Sequence, residues 1–150
     1  MRVTTHGFSS EAEYVAEATR KGYLHLQRSN AIGVEPVREE LGTVWEVCRT
    51  PNWDGYGAAA VSQESLRNTY LLLDSLPLGL PLPSIGAEPD GELTLEWHHS
   101  PRRTLSVSVS PHDELHFAAI LGPNRVYGTE AFFGEVPERI LELIRQVFPP

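Results

Sequence analysis

The sequence predicts an α+β fold, and three observations carry that prediction. From Glu92 onward the hydrophobic period switches to two, so that Leu93, Leu95 and Trp97 alternate with Glu92, Thr94 and Glu96. The same alternation returns twice after short turns, in Leu105/Val107/Val109 and in Leu115/Phe117/Ala119/Leu121. Segments of helical period lie on both sides of this run, so strands are grouped rather than interleaved with helices. The expected architecture is a four-stranded antiparallel meander over about 92–129, packed on one face by helices near 11–20, 36–49, 63–76 and 137–148.

Residues 1–9 are polar and irregular and read as a frayed start. Ser10 and Glu13 form a capping box ahead of Tyr14, Val15 and Ala18, and Gly22 suits the left-handed residue that ends a helix. Residues 23–35 fit a short strand or more helix equally well. Pro36 opens a second helix, whose Val37, Leu41, Val44 and Cys48 recur on one face opposite Arg38, Glu39, Glu40 and Glu46. Pro51 closes it. Ser62 is a good N-cap for a helix carrying Leu66, Tyr70 and Leu73, which Pro77 stops. The proline-rich stretch 77–90 reads as an extended, partly polyproline crossing. Gly122-Pro123-Asn124 turns the chain into a shorter fourth strand around 125–129. Pro137 opens a last helix with Ile140, Leu141, Ile144, Val147 and Phe148 along its apolar stripe. The 150 residues suit a single domain.

Because side chains alternate across a strand, sharing one apolar face fixes the hairpin registers by parity. Trp97 then opposes Leu105, Leu95 opposes Val107, and Leu93 opposes Val109; Val109 opposes Leu115 and Val107 opposes Phe117. The opposite face receives three polar rows: Thr94/Ser108/His116, Glu96/Ser106/Ala118 and His98/Thr104/Ile120.

Composition restricts function. Twelve basic against 20 acidic residues give a net charge of −8, which disfavours general binding to nucleic-acid phosphates. The single Cys48 can neither close an intramolecular disulfide nor build a thiolate zinc site. No apolar run reaches the roughly 18 residues of a membrane span, and the first residues lack a signal-peptide plan. The expectation is a cytoplasmic protein.

Asn52-Trp53-Asp54-Gly55-Tyr56-Gly57 is the most distinctive loop. Structurally, Trp53 would plug the core, Asp54 would cap backbone donors and Gly55 would supply a positive φ. Functionally, Trp53, Asp54 and Tyr56 would form a recognition loop. Gly55-x-Gly57-x-x-Ala60 matches a dinucleotide fingerprint in letters only, because a helix rather than a buried strand precedes it. His98 and His99 point to opposite faces of a strand, and His112, Asp113, Glu114 and His116 have no recognised ligand spacing; no metal and no cofactor are expected. Cys48 falls on an apolar helix stripe, where an inert thiol is expected. Glu39/Glu40 and Glu88/Asp90 read as solvated acids, and Arg102-Arg103 as a charged hairpin turn.

The Asn52–Ala58 run, the Ser-capped helix, the Leu-Pro-x-Pro crossing at 80–83 and Glu88-Pro-Asp-Gly-Glu-Leu-Thr-Leu-Glu-Trp97 together resemble a family of short uncharacterised bacterial proteins. Leu105–Val109 and Val126–Glu130 fit the same pattern, so the resemblance covers about 45–148. It implies a bacterial α+β protein, and no activity or catalytic residue comes with it. The expected function is a non-enzymatic, protein-binding accessory of chaperone, immunity or antitoxin type. Acidity favours a basic partner. The residues expected to bind are Trp53, Asp54 and Tyr56 in the loop and Thr94, Ser108 and His116 on the sheet, with a homodimer as a further possibility. The alternative is a small hydrolase using Asp54, with Glu96 and His116 as possible acid/base groups, which requires Asp54 and His116 to converge on one cavity with at least one strongly perturbed pKa.

Overall fold

The computed structural model describes residues 33–150. The helix expected near 11–20, the start at 1–9 and most of the ambiguous 23–35 stretch lie outside the described residues. The described chain runs α1 (Glu35–Cys48), α2 (Gln63–Ser75), β1 (Ser84–Ala87), β2 (Leu93–Ser100), β3 (Arg103–Val109), β4 (Glu114–Leu121), β5 (Asn124–Ala131) and α3 (Glu138–Val147). The class is α+β, and the sheet is an antiparallel meander in the order β1-β2-β3-β4-β5.

The sheet therefore has five strands rather than four. The additional strand is β1, inside the stretch expected to be a polyproline crossing. Its four residues are flanked by Pro83 and Pro89, leaving too short a run for the alternation of Ile85 and Ala87 to stand out. Context supplies what propensity lacks. All four residues are buried, α1 packs against them, and the Glu40 carboxylate accepts the Ile85 backbone N–H at 2.6 Å. The crossing itself is pinned from the sheet, where the Trp97 indole N–H donates to the Pro81 carbonyl at 2.8 Å.

The parity-derived registers match the structure from Leu93↔Val109 to Trp97↔Leu105 and from Val107↔Phe117 to Val109↔Leu115. Leu93, Leu95, Trp97, Leu105, Val107, Val109 and Leu115 are sealed from solvent under the three helices, together with Val37, Leu41, Leu72, Ile140 and Ile144. This inner face holds one contiguous core. A bulge interrupts β2 after His98, so His98 stays on the outer face while His99 sets its ring edge-on against Phe148, centroids 5.4 Å apart. Helix ends are also closed locally. Ser62 Oγ accepts the Ser65 N–H, and the Arg103 guanidinium donates to the Gln146 carbonyl at the end of α3.

Candidate functional site on the outer sheet face

The rows expected on the outer face are present, and residues of the flanking strands β1 and β5 extend them. Gly86, Thr94, Ser108, His116 and Thr129 form one row; Ser84, Glu96, Ser106, Ala118 and Tyr127 the next; His98, Thr104, Ile120 and Arg125 the third. A groove of about 440 Å³ lies on this face, lined among others by Glu88, Glu96, Thr104, Ser106, Arg125 and Tyr127. Tyr127 stands at its rim with 81% of its surface exposed. Within the groove the Ser106 hydroxyl donates to Glu96 Oε2 at 3.4 Å. Toward the β1–β2 turn, the Ser108 hydroxyl donates to Glu88 Oε2 at 3.0 Å. His116 Nδ1 lies 3.0 Å from Thr129 Oγ1, and its Nε2 lies 3.8 Å from Glu114 Oε2.

Glu88 follows β1 while Ser108 belongs to β3, with β2 between them. The Glu88 side chain therefore reaches across β2 on the outer face, from the position opposite Glu92 to the row that holds Thr94 and Ser108. Thr94 is 1% exposed, and its hydroxyl is buried without a hydrogen-bond partner. Such a group costs on the order of 1–3 kcal/mol unless something satisfies it. At the β1–β2 turn, one carboxylate oxygen each from Glu88, Asp90 and Glu92 lie within 4.8 Å of one another. Partial burial, then the neighbouring Asp90, push the Glu92 carboxyl above its ordinary range, while His116 opposes the shift.

The hairpin presenting these acids is held in shape by the Trp53 loop. The Glu88 N–H donates to the Glu92 carbonyl and the Gly91 N–H to the Glu88 carbonyl, closing the loop Pro89-Asp90-Gly91 with Gly91 at φ +93°. A Cβ at Gly91 would sit 2.9 Å from the Ala60 carbonyl oxygen, so close approach as well as conformation demands glycine. The Ala59 N–H donates to the Pro89 carbonyl at 2.8 Å. The two most distinctive sequence runs, one around Trp53 and one around Asp90, thus pack against each other.

That loop turns its own chemistry inward. Trp53 is 5% exposed with its indole N–H on the Ala59 carbonyl, and Asp54 is 2% exposed with Oδ1 accepting the N–H groups of Tyr56 and Ala58. Gly55 takes φ +81°. Only Tyr56 of the three expected loop contacts faces solvent, so Trp53 and Asp54 serve as plug and cap. Asp54 follows Trp53, which packs into the core beneath the helices together with Cys48, and burial, with Asp54 adding to it, pushes the Cys48 thiol up to about 12. Glu96 and His116 lie on the outer side, in adjacent rows. The structure thus brings Glu96 and His116 to one face and leaves Asp54 off it.

Thr94, Ser108 and His116 share a row, as expected. Sequence reasoning missed Glu92 as a partner of Glu88 and Asp90, and Arg125 and Tyr127 as groove residues. Glu92 was findable: a turn at Pro89-Asp90-Gly91 places residues 88 and 92 opposite each other by the same parity that sets the other registers. Arg125 and Tyr127 required the β4–β5 register, Ile120↔Arg125 and Ala118↔Tyr127. The glycine fingerprint at 55–60 lies in a loop that follows helix α1 rather than a strand, and α2 begins only at Gln63. Among the described residues no helix is long and apolar enough to cross a membrane. Comparison with known protein families, curated proteins and solved structures finds no match to this chain.

Proposed function

We propose that this protein is a non-enzymatic cytoplasmic accessory that receives a basic segment of a protein partner on the outer face of its sheet. The observation that carries this reading is the groove itself: Glu88 and Glu96 line it together with the Thr104 and Ser106 side chains, beneath the exposed ring of Tyr127. An arginine or lysine from an extended partner would find carboxylates for its charge and hydroxyls for its remaining donors. The Tyr127 ring would supply an aromatic face for the cation. The chain's net charge of −8 favours encounter with such a partner. Asp54, needed by the hydrolase reading, is occupied with loop amides, which favours binding over catalysis.

Fluorescence anisotropy with a short labelled arginine-rich peptide tests the proposal. Glu96→Gln combined with Tyr127→Ala should weaken binding about tenfold, equivalent to about 1.4 kcal/mol. Removing acids from the opposite side of the molecule, Glu138→Gln with Glu142→Gln, should change it by no more than about twofold, the scale of a screened distant charge. Equal weakening by both pairs, or no measurable binding, would refute a dedicated groove.

A further inference from the structure

We propose that two copies of this chain pair antiparallel along β5, edge to edge, and join their sheets about a twofold axis at Gly128. The inference concerns the rim of the sheet and does not depend on what the groove receives. The β4–β5 ladder fixes which backbone groups of β5 are free. The Phe132 N–H donates to the Asp113 carbonyl at 2.9 Å, so the even-numbered positions of this strand turn their backbone groups toward β4. Arg125, Tyr127, Thr129 and Ala131 therefore aim their N–H and C=O groups outward, away from the sheet. The edge lacks the usual protections: it is eight residues long, with no proline, no lysine and no bulge. The helices pack against β1 to β4, which leaves the flank of β5 open to an approaching strand. Two large apolar side chains stay in solvent here, Tyr127 on the strand at 81% exposure and Phe133 just beyond it at 83%.

Self-complementarity selects a second copy as the occupant. In one continuous antiparallel sheet, outward-aimed positions must oppose outward-aimed positions, and outer face must continue into outer face. Full overlap of the four free positions then has one solution. Arg125 opposes the second copy's Ala131 and Tyr127 opposes its Thr129, each twice about Gly128. Arg125 makes no ion pair with any described residue. Behind the small Ala131 of the second copy stands its exposed Glu114, opposite Ala131 on the same face. Two strand spacings, about 10 Å between α-carbons, lie within the joint reach of an arginine and a glutamate. Within one copy Arg125 and Glu114 sit at opposite ends of the β4–β5 hairpin, so they meet only between copies. Tyr127 against Thr129 is an aromatic/β-branched cross-strand pair, which favours the sheet. β5 holds one Arg125 and one Glu130, so this edge is locally neutral although the chain carries −8. The pairing also joins the two outer faces, the second copy's Thr129 and His116 continuing the row of Glu96, Ser106 and Tyr127.

Sedimentation velocity of the full chain without peptide, from roughly 1 to 200 μM, spans the dissociation constants of weak to moderate interfaces. The expected result is a concentration-dependent rise toward twice the 16.7 kDa of one chain. Arg125→Glu alone and Glu114→Arg alone each set like charges against each other at both symmetric contacts, and each should weaken self-association about tenfold. An equimolar mixture of these two variants restores opposite charges at both contacts. It should associate within about threefold of the wild type, and so should the double variant Arg125→Glu/Glu114→Arg. A chain that stays monomeric over the whole range would overturn the proposal. A dimer that neither charge reversal weakens would also overturn it, because the interface would then lie elsewhere. Failure of the mixture to recover would do the same, since only contact between copies in this register predicts recovery. No ligand enters these measurements, so a failed peptide titration leaves the dimer standing and a monomeric chain leaves the groove standing.

Discussion

The two edges of the sheet solve the same problem differently. Any edge strand exposes backbone donors and acceptors that invite pairing with another chain. At one edge β1 is short, wholly buried and closed by α1, whose Glu40 carboxylate takes the Ile85 N–H. At the other, β5 is eight residues long and alternately exposed, with no further strand beyond it among the described residues. The closed edge places an ionisable group where burial disfavours its charge. The open edge requires nothing buried, and it carries the aromatic rim of the groove. Stability is therefore invested in β1, and access is left at β5.

The largest effect should come from the anchor of the closed edge. Trp97 is fully buried in the inner core and also donates to the carbonyl of Pro81, three residues before β1 begins. Trp97→Ala removes a large core side chain and the tether together, and should cost about 3–5 kcal/mol in urea unfolding. Trp97→Phe retains most of the ring volume and isolates the tether. If it costs as much as the alanine variant, the hydrogen bond rather than packing secures the crossing.

Glu40 should give the closed edge a pH signature. Burial, only partly offset by the Ile85 N–H, pushes its carboxyl up to about 8, against 4.5 for the ordinary group. Between these two values the folded chain holds a proton that the unfolded chain has released. Stability must therefore fall as pH rises from about 4.5 to about 8, and level off above. Glu40→Gln keeps an oxygen for Ile85 and has no charge to desolvate. It should flatten that slope and stabilise the protein on the order of 3 kcal/mol at the alkaline end of the window. Denaturant midpoints measured across this range check both sign and size. A slope unchanged by the substitution would mean that another group is responsible.

How much of this was legible in the sequence follows from which rules act locally. Strands β2 to β4 announced themselves because one face is apolar and the other polar, so Leu95, Val107 and Phe117 could be registered by parity alone. β1 could not be. Ser84-Ile85-Gly86-Ala87 is stable because α1 lies over it, and the helix reaches it through Glu40, 45 positions earlier. The outer rows of β2, β3 and β4 were legible for the same reason as the core. Their use was not, since Glu88 acquires its position by spanning β2 to a serine 20 residues away. The Trp53 loop was read correctly as a possible plug, but its packing against the Asp90 hairpin depends on a contact between distant glycine and alanine backbones.

At the open edge the decisive position is Gly128. It opposes Phe117, and a Cβ built there would fall 2.9 Å from the far end of that ring. No positive φ is involved, so the glycine is needed for space: the Phe117 ring covers the gap that β5 leaves on the inner face. Gly128→Ala should therefore push the ring aside and cost about 1–2 kcal/mol as overpacking, even though alanine lowers the entropy of the unfolded chain. Phe117→Leu removes the far ring atoms, so the double variant should lose less than the sum of the two single losses, with a coupling of about 0.5 kcal/mol or more. Strict additivity would place the cost in the β5 backbone instead, and the open edge would then be limited by strand propensity rather than by the ring packed across it.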